Sequence, residues 1–302
     1  MIDALTLVLA SSIRLALPLA FAACGEYIAE RSGTINISIE AMMLGGAFSA
    51  VLGASITGSP AVGLICGVLT GLLIGFVHAN FSHRLTVNTY VVGLTLNLLV
   101  LGLTSFLFDL VTLVPSQVSV LAIPLLADIP VIGPALFAQR WPAYLVWLLL
   151  PAIWYAMYRT RWGLQMRATG ENPSAVDATG IDVNKRRREG LLLCGLLAGL
   201  GGAYLSVGEV GMFNQNMTSG RGYVVIAAVI FGAWTLRGAM AGCLVFGAAD
   251  AMRLALPALG VQLNPQLLIA SPYILALLAM VLFARNNRSP SAYGKPFTRG
   301  LP

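Results

Sequence analysis

RTRWGLQMRATGENPSAVDATGIDVNKRRR, residues 159–188, is a basic stretch set between long apolar runs. Seven of its side chains are cationic: Arg159, Arg161, Arg167, Lys185, Arg186, Arg187 and Arg188. A short loop this basic between spanning segments stays on the cytoplasmic side, so it fixes the orientation of the chain. It also encodes a small helix. Asn172 suits an N-cap, Pro173 the first helical position, Ser174 to Thr179 the body, and Gly180 the stop. A capped helix of about two turns, displayed between spanning helices, is what a membrane subunit needs to dock on a soluble motor.

The composition agrees with a bilayer environment. The chain is 58% hydrophobic and 10% charged, where soluble domains carry roughly 25% charged residues. No polar stretch is long enough to fold alone. We therefore expect an all-α polytopic membrane protein. Residues 1–286 form one transmembrane domain, and residues 287–302 a polar, mobile cytoplasmic tail. The net charge of +6 collects in the basic loop and after Ala284, which fits topology and not nucleic-acid binding. Cys24, Cys66, Cys194 and Cys243 lie singly within apolar runs, as small core residues without disulfides or metal-ligand spacing. The N-terminus lacks a basic n-region and reads as a first membrane helix, not a removable signal.

Spanning runs need about 17–25 residues. Candidates are Ala4 to Cys24, Ile37 to Ile56, Ala61 to Asn80, Val87 to Val111, Pro142 to Tyr158, Gly190 to Val207, Tyr223 to Trp234, Gly238 to Leu256 and Leu267 to Ala284. That gives about eight to ten crossings. A polar knot, Gly25 to Asn36, follows the first run, and Gly58-Ser59-Pro60 is a tight turn. Gly67, Gly71 and Gly75 share one face, a spacing suited to close helix packing in lipid. The stretch before Pro142 holds Pro115, Pro124, Pro130 and Pro134, with Asp109, Asp128 and Arg140, and fits an external loop. Tyr223 to Trp234 is about 18 Å long, short enough to be a half-helix. Parity puts the 159–188 loop, Arg84, the Glu26–Arg31 knot, Arg237 and the C-terminus inside, and the N-terminus outside.

No catalytic constellation is present, and neither lysine ends a phosphate-binding loop. His78 and His83 lie at one membrane edge without cysteine partners. The chain is expected to be neither an enzyme nor a holder of ATP or metal. Charges within the spans are Arg14, Glu40, Asp109, Asp250 and Arg253. Asp250 and Arg253, at i, i+3, can neutralise each other. Glu40 stands near a helix N-terminus, where the dipole stabilises a carboxylate; a structural and a transport role are equally open. The candidate pathway residues are Asn36, Glu40, Asn88, Asn97, Glu209, Asn214, Asn216 and Tyr223. Neutral amides, with Gln215 and Thr218, suit a hydroxyl-rich or heteroaromatic solute beside rings such as Phe213 and Tyr223. The competing reading is that each Asn joins helices by interhelical hydrogen bonds. Asn214 to Thr218 also suit a loop that meets an external binding protein.

Four stretches carry a resemblance: GEYIAERSGTINISIEAMMLGGAF (Gly25–Phe48), VNTYVVGLTLNLLVLGLT (Val87–Thr104), RATGENPSAVDATGIDV (Arg167–Val183) and NMTSGRGYVVIAAVIFGAW (Asn216–Trp234). In this order they resemble permease subunits of ABC importers for nucleosides and simple sugars, within the superfamily that includes branched-chain amino acid permeases. Ala41 and Val176 depart from the usual glycine and alanine, and Glu209 stands where relatives are often uncharged. The resemblance implies a bacterial plasma-membrane subunit moving a nucleoside or nucleobase, with sugars and branched-chain amino acids as alternatives. It implies a cytoplasmic ATPase that binds ATP and magnesium, a second homologous permease completing a heterodimer, a periplasmic or lipoprotein substrate-binding protein, and a lipid surround. It assigns coupling to Glu171, Asn172, Pro173, Ala175, Asp177 and Gly180. A passive channel or secondary transporter is the more distant alternative, and the capped loop speaks against it.

Overall fold

The computed structural model describes residues 2–127, 129, 132–258, 266, 270, 274 and 289–298. Asp128, Pro130 and, apart from isolated positions, the expected run Leu267 to Ala284 lie outside the described residues. The chain threads α1 (Ile2–Arg31), α2 (Ile39–Thr57), α3 (Pro60–His83), α4 (Thr89–Leu110), β1 (Val120–Ala122), α5 (Ile132–Phe137) and β2 (Ala138–Arg140). After one tight turn at Trp141–Tyr144 come α6 (Leu145–Arg159), α7 (Arg161–Glu171), α8 (Pro173–Ala178) and α9 (Val183–Ala203). A wider-wound segment, Tyr204–Val210, prolongs α9, and α10 (Arg221–Phe231) and α11 (Leu236–Ala258) follow. The fold is all-α. Its only strands among the described residues are β1 and β2, paired antiparallel with Val120 opposite Arg140.

Among the described residues, five helices are long and apolar enough to cross a membrane: Thr6–Arg31, Ile39–Thr57, Pro60–His83, Thr89–Leu110 and Val183–Val210. In lipid no hydrophobic force separates a leucine from an acyl chain, so helices associate through close van der Waals contact. The sequence supplies that contact as glycine. Gly67, Gly71 and Gly75 of α3 meet Gly195 and Gly199 of α9 backbone to backbone, so that a Cβ on Gly71 would overlap the Gly195 carbonyl and the Gly199 backbone. Gly46 of α2 and Gly25 of α1 approach the same helix at Gly199 and Cys194. Helix α9 is therefore the axle of the bundle, sheathed by α1, α2 and α3. The outer faces of α3 and α4 present Leu69, Leu73, Leu94, Leu98 and Leu99, as a lipid-facing surface should.

Three expectations change. The first helix does not end with its apolar run at Cys24: α1 continues unbroken through Glu26 and Glu30 to Arg31, and both glutamates are completely buried. Their polar ends are covered by protein, so the helix need not break to reach water. Arg187 is not a free loop cation. Helix α9 starts at Val183, earlier than the apolar run, and Arg187 is 1% exposed within it. Residues 289–298 of the tail are bonded to the fold: this segment lies against the turn after α1 and the end of α7, with Gly294 N–H donating to Gly33 C=O (3.0 Å) and Ala292 N–H to Gly170 C=O (2.9 Å).

Gly71→Val forces α3 off α9. Overpacking of this kind costs about 1–3 kcal/mol, so the melting midpoint in detergent drops by several degrees. Gly102→Ala, where a Cβ meets nothing within 4 Å, leaves it unchanged or slightly raised.

Candidate translocation site and coupling segment

Helix α10 has 11 residues, or about 16 Å at 1.5 Å per residue, against about 30 Å of hydrocarbon. It is too short to cross alone, the length expected of a half-helix. Its first N–H groups have no partner within the helix. They find one in Glu40. Gly220 N–H donates to Glu40 Oε1 (2.8 Å), Gly222 N–H to Oε2 (2.6 Å), and the Thr218 hydroxyl to Oε1 (2.6 Å). Glu40 itself stands in the first turn of α2. Two helix N-termini therefore share one buried carboxylate, and each contributes partial positive charge to it.

The two helices leave this point toward opposite ends of the bundle. Helix α2 ends near Ser55, whose hydroxyl accepts from Val114 N–H in the long loop. Helix α10 ends near Trp234, which stacks edge-on with Tyr293 of the docked tail (5.7 Å). Gly222 permits the contact, since a Cβ there would overlap the Glu40 backbone.

Asn97 of α4 completes the junction. Its Oδ1 accepts from Ala41 N–H (2.9 Å), an orphan donor of the α2 N-terminus, and its Nδ2 donates to Ile37 C=O (2.9 Å) and to the Tyr223 hydroxyl (2.8 Å). Tyr223 is thus held by its polar tip while the residue stays 43% exposed. Asn214, Gln215 and Asn216 are exposed on the loop leading to α10, and Gln215 donates to Asp109 (3.0 Å).

The structure gathers some candidates here and sends others elsewhere. Glu40, Asn97 and Tyr223 converge, with Asn214 and Asn216 on the adjoining loop. Asn36 turns inward: it is fully buried, donates to Glu26 (2.9 Å) and accepts from Ser38 (2.8 Å). Asn88 is the N-cap of α4, accepting from Tyr90 N–H (2.9 Å). The Glu209 side chain is 6% exposed and pairs with Arg14 (3.0 Å), so neither is an open charge. Phe213 is buried between Phe48 and Phe108 and has no free face for a ligand. Asp250 meets Arg253 (3.4 Å) as the spacing implied, and also Arg221 (3.3 Å), which it did not. The cradle of Thr218, Gly220 and Gly222 around Glu40 was missed. Its signal was the Gly-Arg-Gly immediately before an undersized apolar run.

At the other end of the molecule, α8 has the predicted form. Asn172 Oδ1 accepts from Ala175 N–H (3.0 Å), Pro173 opens the helix, and Gly180 takes φ +83°. Ala175, Ala178 and Thr179 are exposed, and Val176 anchors the helix inward. Glu171 accepts from Ser291 N–H and its hydroxyl and faces Arg31 (3.7 Å), so it belongs to the root of the element and not its tip.

Two helix N-termini meeting on one buried carboxylate, a capped helix at one end and helices long enough to cross a membrane fit a polytopic membrane subunit. Residues 8–284 match the family described as branched-chain amino acid transport system / permease component, and the chain belongs to it. Among its relatives are the nucleoside ABC transporter permease protein NupC of Lactococcus lactis, 32% identical over 97% of both chains, and the guanosine ABC transporter permease protein NupQ of Bacillus subtilis, 32% identical over 99% of this chain and 98% of the relative. The putative glucose ABC transporter permease protein TsgC13 of Haloferax volcanii is 32% identical over 84% of this chain and 79% of its own.

Glu40→Ala strands two helix-terminal N–H groups and a hydroxyl in the interior. Hydrogen bonds to charged groups contribute roughly 1.5–3 kcal/mol each, so this variant is expected to lose most of its folded yield. Asn88→Ala, which removes an exposed cap, costs about 1 kcal/mol and keeps a monodisperse elution profile.

Proposed function

We propose that this subunit forms half of the membrane pathway of an ATP-driven importer for a nucleoside or nucleobase. The observation that carries the reading is the saturation of charge at the junction. Both Glu40 oxygens are engaged, and Arg221 is paired with Asp250. An amino acid needs a cation for its carboxylate and an anion for its ammonium, and the two candidates for these roles, part-buried Arg221 and buried Glu40, are already engaged within the chain. It offers an exposed tyrosine ring with a tethered hydroxyl and neighbouring amides, which suit a flat, uncharged, hydrogen-bonding solute. The full-length similarity to permeases named for nucleosides and guanosine supports the same class. Simple sugars are the second reading, favoured by the same neutral donors and by the glucose-named relative.

The driving force comes from outside the chain in this reading. A cytoplasmic ATPase grips α8, a second homologous permease faces this one as a heterodimer, and a binding protein delivers the solute to the opposite surface. The C-terminus lies with α8 on the cytoplasmic side. Closure of the ATPase moves the Asn172–Gly180 element as a rigid body and rocks the bundle between outward-open and inward-open states.

Calorimetry on the purified cognate binding protein tests the solute class. Tight binding of nucleosides or nucleobases is expected; binding of leucine or valine in their place would overturn it. In vesicles holding the complete transporter, Tyr223→Leu is expected to lower transport by roughly 5–150-fold, the range of one lost base–aromatic stack. Asn172→Ala, removing a cap of about 1 kcal/mol, lowers solute-stimulated ATP hydrolysis while membrane insertion stays intact.

A further inference from the structure

Residues 289–298 have no regular secondary structure, yet they are bonded to four parts of the fold. Arg187 of α9 is the anchor. Its Nη1 donates to Lys295 C=O (2.6 Å), its Nη2 to Ala292 C=O (3.4 Å) and its Nε to Ser32 C=O (3.3 Å). It is the largest fully buried side chain among the described residues, and carbonyls take the place of a carboxylate around it. A planar guanidinium can hold several acceptors at fixed angles, which a lysine ammonium on one flexible stem does not reproduce. Gly33, at φ +88°, lets the strap lie close; a Cβ there would crowd Arg187 Nη2 and the Ala292 carbonyl.

From that anchor the segment reaches in two directions. Toward the coupling element, Ser291 donates twice to Glu171 (3.2 and 3.1 Å), and Ala292 N–H donates to Gly170 C=O (2.9 Å). These residues end α7, directly before the Asn172 cap of α8. Toward the pathway, the Tyr293 ring stacks edge-on against Trp234 at 5.7 Å, in the turn that ends α10. Burial and the neighbouring Glu30 carboxyl push the Tyr293 phenol above its ordinary range, so it remains neutral.

We propose that residues 290–297 are a tie that carries displacement of α8 to the inner end of half-helix α10, with Arg187 as its positioning residue. This rests on the ATPase-driven reading above. The bonded path runs from Asn172 and Glu171 through Ser291 and Tyr293 to Trp234, then along α10 to Gly222 and Glu40. A passive seal over the cytoplasmic end would need only to cover apolar surface. This segment instead joins the element that receives force to the element that borders the solute.

The test reads α10 directly. In the full chain the other four tryptophans, Trp141, Trp147, Trp154 and Trp162, are replaced by Phe, leaving Trp234. The assembled transporter with its ATPase is placed in nanodiscs, and a nonhydrolysable ATP analogue is added. The expected result is a nucleotide-induced change in Trp234 emission. Arg187→Ala reduces that change by about fivefold, within the range by which residues between two sites modulate coupling, and Arg187→Lys restores it only partly. Basal ATP hydrolysis and co-purification of the ATPase are unchanged, which separates a tie from a merely structural arginine. Should Arg187→Ala fail to fold, Ser291→Ala, which removes the hydroxyl bond to Glu171 and keeps the backbone one, is expected to show a smaller loss in the same direction. An associated, hydrolysing ATPase with a Trp234 signal that nucleotide does not alter, or one that both variants leave intact, would overturn the tie alone. Failure of any ATPase to associate would overturn the import reading and the tie with it.

Discussion

One carboxylate governs the middle of this molecule. A helix that starts inside a bilayer exposes N–H groups that water cannot satisfy, and each unsatisfied group costs several kcal/mol. Two helices, α2 and α10, start side by side in the interior of this bundle, and Glu40 serves both. It belongs to the first turn of α2 and receives Gly220, Gly222 and Thr218 from the start of α10. Without such an acceptor, α10 would have no stable starting point within the bundle. With it, non-helical backbone is tolerated at depth because protein groups, and not lipid, receive its polar atoms. The arrangement also settles the electrostatics of the junction. Helix dipoles that would otherwise recruit an anionic solute are already neutralised from within.

The rest of the architecture serves to hold that junction. Glycine faces on α3 and α9 bring backbones into contact and leave little room for slippage. Asn97 pins α4 to the start of α2 and orients Tyr223 in the same step. At the far end the strap, the turn at Gly33 and the root of α8 form one hydrogen-bonded group around Arg187. Rigid elements joined at few points suit a subunit that is to be rocked from one end. In the proposed importer the capped helix receives the push, and the half-helix is the part of the pathway nearest to it through bonded contacts.

Much of this was legible in the sequence because it depends on local rules. Apolar run lengths locate the long helices, the Asn172-Pro173 to Gly180 spacing yields the cap and stop of α8, and the length of the apolar run after Tyr223 announces a half-helix. The glycine spacing on α3 predicts a close neighbour but cannot name α9. What was hidden is long-range pairing. Glu40 and Gly222 stand 182 positions apart, and Glu209 and Arg14 meet across the bundle; no periodicity encodes either. Arg187 was misread for a related reason. Within a basic cluster, charge alone marks a solvated loop, and only the carbonyls of Ser32, Ala292 and Lys295 converging from distant segments make a buried guanidinium acceptable. Helix α1 ran past its apolar limit because Glu26 and Glu30 find protein cover that composition does not reveal.

The central claim is that a junction whose buried Glu40 and part-buried Arg221 are internally satisfied passes neutral, flat solutes and not zwitterions. ATP-driven accumulation of labelled guanosine and labelled leucine, compared in vesicles that hold the complete transporter with its own binding protein and ATPase, tests it most directly. The account predicts uptake of guanosine and none of leucine above the level without ATP. Leucine accumulation equal to or above that of guanosine would contradict it.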